Sequence, residues 1–255
     1  MKRINIMKKV LPATLCIVLA IALLSGCTTV LFSSPGGRGV SGSGSKEAFT
    51  INVGEITEID VALLCNIVLN TAPSSTVTFE VQSNLKEYIT IEEIDGVLKV
   101  RTTRNLNITG GANTPVLTVS SAALSKVTHA GAGRITANDP ITADDFTLNI
   151  SGAAEGNLGL NVQNLTVSLS GAGNFELSGT ADNAHINMSG AGRVDALGLS
   201  TRVASANLSG AGTVRISCSD ELTVSASGVG TVEYRGSPTV DLARSSGLTT
   251  VRQVD

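Results

Sequence analysis

Tryptophan is absent from this sequence, and tyrosine, phenylalanine and histidine are scarce, at two, five and two residues in 255. A cleft that stacks sugar rings or bases on aromatic faces is therefore poorly provided for. The two histidines, His129 and His185, fall in different columns of the repeat described below and suggest no acid–base pair. Charged residues make up only 15% of the chain. No Cys-x-x-Cys pair and no Cys/His cluster occurs, so neither a metal nor a cofactor is expected. Helical periodicity is almost missing too, and the one segment suited to a helical turn is Asn84-Leu85-Lys86-Glu87-Tyr88.

What is present begins with three zones at the amino terminus. Lys2, Arg3, Lys8 and Lys9 make it basic, and Val10 to Leu24 is a run of 15 residues without a charge. That run is shorter than the roughly 18 to 20 residues a spanning helix needs. Small residues then precede a cysteine. This order describes an export signal over residues 1–26. Leu24-Ser25-Gly26-Cys27 resembles the bacterial lipobox. The likeness implies cleavage before Cys27, a diacylglycerol on its thiol and a membrane anchored through that lipid. Two or more acyl chains hold a protein stably, at ~0.8 kcal/mol per buried CH₂. Thr28, in place of an acidic residue, favours the outer membrane in a Gram-negative cell. In a Gram-positive cell the same lipid sits on the outer leaflet of the only membrane. Loss of the signal shifts the net charge from −3 to −7. An acidic exported domain is a poor partner for nucleic acid or anionic lipid.

Residues 27–45 are rich in Gly and Ser and read as a lipidated tether. The body covers residues 46–255, long enough for one core. Its early segments alternate: Ala48 to Val53, Val61 to Leu69, Val77 to Val81 and Leu98 to Val100. Period-two alternation predicts strands with one buried face. Cys65 and Cys218 sit in such alternations among apolar neighbours. They either form one disulfide or remain two buried thiols, and the apolar neighbours favour the thiols.

From His129 one pattern recurs seven times, as in SGAGNFE at 170, SGAGRVD at 189 and SGAGTVR at 209. Its first glycines are Gly131, Gly152, Gly171, Gly190, Gly210, Gly228 and Gly247, spaced by 21, 19, 19, 20, 18 and 19 residues. Repeats of this length point to a solenoid, with one coil of a parallel β-helix per unit. Each coil adds one strand spacing, ~4.8 Å, to the stack. The glycines are expected to permit sharp corners. One apolar column runs through Ile150, Leu169, Met188, Leu208 and Ala226. Two more follow the corner, through Phe175, Val194, Val214 and Val232 and through Leu177, Ala196, Ile216 and Tyr234. Asn149, Ser168, Asn187, Asn207 and Ser225 form a polar column suited to hydrogen-bonded ladders. Glu176, Asp195, Arg215, Glu233 and Arg252 form an outward charged column, with opposite signs meeting around Arg215; it reads as a solvated face. His129 replaces an apolar residue and is expected to cap the open core. Gly152-Ala153-Ala154-Glu155 departs from the pattern after the longest spacing, so an irregular corner is expected there. Arg244 and Ser245 replace the apolar flank in the last copy, as a blunted terminal coil requires.

The early strands, the segment Asn84 to Ile89 with Asp95 to Val100, and the serial SGAG units together resemble the head GIN domain family, which also carries the label "putative auto-transporter adhesin". The likeness runs from about Lys46 to the end. It implies a right-handed parallel β-helix, commonly in a lipoprotein or surface context, and it supplies no catalytic residues.

Other chemistries fit less well. Gly-x-Gly lies here between strands, whereas a dinucleotide site needs GxGxxG between a strand and a helix. A calcium-binding roll needs an aspartate in each turn, and only Asp195 falls near such a place. β-Helices host polysaccharide lyases and glycosidases, which need clustered acids or a base with Arg or Lys. Asp139, Asp144 and Asp145 are the densest acidic group, and they flank Pro140 in an expected hydrated loop. The sequons at Asn149, Asn164, Asn187 and Asn207 read as ladder positions. The sequence therefore predicts a non-enzymatic, lipid-anchored envelope protein for adhesion, structure or binding of a glycan or protein ligand. A polysaccharide-active enzyme and an envelope-signalling accessory are the alternatives.

Overall fold

The computed structural model describes residues 39–108 and 110–255, without the side chains of Arg244 and Ser245. The expected export signal, the lipobox-like segment with Cys27 and most of the expected tether lie outside the described residues. The described chain is a β-solenoid of about seven turns with coils of about 19 residues.

The amino-terminal strands are β1 (Val40–Ser41), β2 (Lys46–Ile51), β3 (Glu58–Val61), β4 (Asn66–Asn70), β5 (Thr76–Gln82), β6 (Ile89–Ile94), β7 (Val97–Thr102), β8 (Leu106–Asn107) and β9 (Val116–Ser120). Their alternation behaves as the sequence predicts: Ile59, Val61, Ile67, Leu69, Val77, Phe79 and Val81 are all buried. The expected helical turn is a 3-10 helix over Ser83–Tyr88 that buries Leu85. β6 and β7 form a hairpin closed by Asp95 and Gly96, with φ of 53° and 78°. Positive φ at both central residues matches the right-handed strand twist, and Asp-Gly supplies it at low cost.

The repeats follow as β10 (Lys126–His129), β11 (Ala132–Ala137), β12 (Ile141–Ile150), β13 (Ala153–Leu169), β14 (Ala172–Met188), β15 (Ala191–Leu208), β16 (Ala211–Ala226), β17 (Val229–Arg235), β18 (Thr239–Ser245) and β19 (Leu248–Gln253). Each coil pairs in parallel with the next: Phe175 meets Val194, Val194 meets Val214, and Val214 meets Val232. These four and the column Ile150, Leu169, Met188, Leu208 and Ala226 are buried, while Tyr234 at the end of its column is half-buried. Burial of each large apolar side chain contributes about 1.5–3 kcal/mol.

Chain order and stacking order differ at the amino-terminal end. β3 lies between β7 and β10, and β4 between β9 and β11, all parallel. β5 runs antiparallel to both β2 and β9 and covers that end. His129 consequently does not cap the core. It sits between Val61 and Ile150, with 0% of its surface exposed. The tether also ends earlier than its composition suggests. Val40 and Ser41 pair with Leu106 and Asn107, and the Ser43 N–H donates to Asn84 Oδ1 at 2.8 Å. On the tether side the bonding groups are backbone, so the composition of that segment carries no sign of them.

The glycines act by close approach more than by bending. A Cβ on Gly190 would stand 1.8 Å from the Gly171 carbonyl oxygen, which accepts a hydrogen bond from Ala191 N–H at 2.9 Å. A left-handed backbone is needed at the second glycine of some units, as at Gly192 with φ 134°, and at a first glycine in the last copy, Gly247 with φ 86°. No irregular corner occurs at Ala153–Glu155, which pairs in register with Ala132–Arg134. The extra length of that unit lies between Thr136 and Ile141, which pair with Asn157 and Leu160. The carboxy-terminal end is less blunted than expected: Leu242 and Leu248 are exposed in the last coil.

Candidate functional site

Three adjacent columns on one side of the stack form a shallow trough of about 1040 Å³. Thr142, Asn161, Thr180, Ser200 and Ser217 stand opposite one another on successive coils and make one wall. Ala143, Val162, Ala181, Thr201 and Cys218 pair in the same way and make the floor. The next residue of each coil, Asp144, Gln163, Asp182, Arg202 or Ser219, makes the other wall. Strand alternation explains the section: the walls point outward and the floor points into the core. Five coils at one strand spacing each give a length of roughly 20 Å.

The coils differ in length, yet the columns survive. Leu197 is accommodated by a register shift between Glu176 and Ser178 and their partners. The shorter coil of β16 shifts again, so that Ser200 meets Ser217 and Thr201 meets Cys218. Irregularity is taken up beside the trough and leaves its first wall and floor aligned.

Part of the wall chemistry is already engaged. The Thr180 hydroxyl donates to Asn161 Oδ1 at 2.9 Å, and Gln163 Nε2 donates to Asp144 Oδ1 at 2.8 Å. Arg202 pairs at 3.3 Å with Asp220, whose carboxyl is held below its usual range first by Ser219 and then by Arg202. Thr142, Asp182 and Ser200 make no side-chain hydrogen bond among the described residues. Beside the trough, Asn183 Nδ2 donates to Asn164 Oδ1 at 2.8 Å and Asn164 Nδ2 to Asp145 Oδ1 at 2.9 Å. This asparagine ladder lies outside the polar column singled out in the sequence, where Asn207 donates to Asn187 at 2.9 Å.

Asp144 and Asp145 therefore belong to β12 and not to a loop. Asp139 alone stays in the loop, where it accepts from Thr71 N–H at 3.3 Å. His129 and His185 remain apart; His185 Nδ1 lies 2.9 Å from Ser205 Oγ on another face. Burial lowers the His129 pKa. Neither of its ring nitrogens has a hydrogen-bond partner. Cys65 and Cys218 are free, buried thiols, and burial pushes Cys65 up to about 12.

The charged column is in register from Glu176 to Arg252. Arg215 bonds Asp195 and Glu233, each at 2.7 Å, and Arg252 Nε reaches Glu233 at 3.1 Å. Arg252, then Arg215, hold the Glu233 carboxyl below its ordinary range. From Asp195 to Arg252 the column is thus a connected ion network, tighter than the solvated face expected of it. Among the described residues no three His, Cys, Asp or Glu side chains come together as metal ligands.

The stack and its trough define a parallel β-solenoid protein with an elongated hydrogen-bonding face. The chain belongs to the family described as "Putative auto-transporter adhesin, head GIN domain", whose model matches residues 55–238. Membership points to adhesion or binding by an exported or cell-envelope protein. No curated protein matches the chain. Among solved structures, a "putative adhesin" from Bacteroides fragilis is 22% identical with a TM-score of 0.77, over 85% of this chain and all (100%) of that one. A "putative lipid binding protein" from Parabacteroides distasonis is 20% identical with a TM-score of 0.64, over 86% of this chain and 100% of that one. A "putative adhesin" from Parabacteroides merdae is 22% identical with a TM-score of 0.54, over 85% and 99%. These likenesses establish the fold.

Proposed function

We propose that this protein is a non-enzymatic adhesion protein of the cell envelope, held on a membrane by lipid at Cys27, which binds its ligand along the trough. The observation that carries the reading is the alignment of the trough. Its hydroxyl and amide wall persists through five coils although two of them change length. Packing alone does not require Thr, Asn or Ser at each outward position. The lipobox residues Leu24, Ser25, Gly26 and Cys27 support the anchor, and Thr28 supports the outer membrane. The family description supports adhesion over catalysis.

Two measurements test it. Proteolysis of intact cells should release the solenoid from the surface; full protection overturns the adhesive role. Thr180→Arg combined with Ser200→Arg fills the trough from outward positions. It should abolish adherence of expressing cells while circular dichroism and melting stay unchanged. Unchanged adherence removes the trough from the proposal.

A further inference from the structure

Resting on the reading of the trough as the ligand site, we infer that its ligand is an unbranched glycan of neutral or amino sugars, lying along the solenoid axis. Three features lead there.

The first is period. Hydrogen-bonding side chains recur along the wall once per coil, at ~4.8 Å. A pyranose ring with its bridging oxygen is close to one coil spacing in length, so each sugar meets an equivalent rung. An extended peptide, advancing ~3.3 Å per residue, meets an equivalent rung only at every third residue, two rungs on.

The second is chemistry. Thr142, Ser200 and Asp182 have hydrogen-bonding capacity that the fold leaves unused. Thr180 spends its proton on Asn161 at 2.9 Å and keeps its lone pairs, while the Asn161 amide keeps its donors. Donors and acceptors alternating along a line suit a polymer of hydroxyls. No aromatic side chain lines the trough. Each sugar is therefore held weakly, and affinity accumulates with the number of rungs engaged.

The third is charge. The walls present the carboxylates of Asp144 and Asp182, whereas the one guanidinium, Arg202, is paired with Asp220 outside the trough at 3.3 Å. A trough of this balance repels uronate, phosphate or sulfate groups and accepts neutral or amine-bearing rings.

The test uses the full-length chain and defined oligosaccharides: cellohexaose, chitohexaose, a glucosamine hexamer and hexagalacturonate, each with its dimer. Titration calorimetry should show at least one of the first three hexamers binding about tenfold or more tighter than its dimer. Hexagalacturonate should bind more weakly than the glucosamine hexamer, and Asp182→Asn should narrow that gap while the melting temperature holds. Any of three results overturns the inference: no binding by the three uncharged or amino hexamers, affinity independent of length, or preference for hexagalacturonate. The adhesion reading fails separately. If the paired arginine substitutions abolish adherence but the oligosaccharides do not bind, the trough is a ligand site and the ligand is not a glycan. Capture of an extended peptide instead would name the other occupant.

Discussion

The backbone of Gly190 lies so close to Gly171 that a Cβ on the former would stand 1.8 Å from the carbonyl oxygen of the latter. Both partners are backbone, held by the hydrogen bonds that join the coils, so neither can yield as a side chain would. Gly190→Ala should destabilise the solenoid by about 3 kcal/mol or more, at the upper end of overpacking costs. Gly198 provides the control, because its Cβ would meet Ser178 Cβ at 3.3 Å. Gly198→Ala should cost less than about 1 kcal/mol. Urea denaturation of both variants checks the ranking; equal losses would reject close approach as the reason for the glycine column.

His129 leads to a pH prediction. Its folded pKa lies below the ordinary 6.5, because burial disfavours the charged ring. The unfolded chain then binds more protons near and below pH 6.5, so stability falls as pH falls through that value. Carboxylates contribute mainly below about pH 5, which leaves a window for histidine. Melting temperature should decline from pH 7 to pH 5 in the natural protein and decline less in His129→Leu. Identical slopes would show that His129 finds a partner when protonated.

Much of this architecture is legible in the sequence, because burial and period coincide in it. Ile150, Leu169, Met188, Leu208 and Ala226 share one column, and Glu176 to Arg252 share another, as alternation requires. The stacking of β3 on β10 is illegible, since Val61 and His129 pair across 68 residues of which one strand set is inserted on the far side. Nothing local distinguishes a histidine at an open end from one between two coils. The trough is hidden for another reason. Counted from each first glycine, its hydroxyl or amide wall falls at offsets of 11, 9, 9, 10 and 7. The longer Thr136–Ile141 connection and the register shifts of β15 and β16 bring these positions into line. A search for Thr, Ser or Asn eight residues before the following apolar column, and not anchored on the glycines, would have found four of the five rungs, all but Ser217.

The ion network predicts a salt dependence. Arg215→Met removes the cation between Asp195 and Glu233, leaving two carboxylates on the coils either side of it. The loss should be about 1 kcal/mol at low ionic strength and should shrink as salt is added, since these groups are partly exposed. Glu233 sharpens the sign. Its carboxyl titrates below the ordinary 4.5, so its stabilisation is present above that value and is lost as pH falls through the depressed folded pKa. Glu233→Gln should therefore flatten the acid limb of a stability–pH curve. An unchanged limb would mean that the network contributes nothing measurable.

Thiol chemistry tests the lipid anchor and the core together. The chain carries four cysteines, of which Cys65 and Cys218 are buried and free. Burial holds Cys65 as a thiol, with its pKa up to about 12, and the thiolate is the reactive form. Neither should react with an alkylating reagent in the folded protein, and a reductant should leave the melting temperature unchanged. Under denaturant the mature protein should then show only these two. On the proposed anchor, Cys16 would leave with the signal and the Cys27 sulfur would be occupied by lipid. Cys27→Ser should abolish incorporation of labelled palmitate and accumulate the uncleaved precursor. That precursor should show Cys16 as a third reactive thiol. A mature protein with three reactive thiols would mean that Cys27 is bare and the anchor is absent.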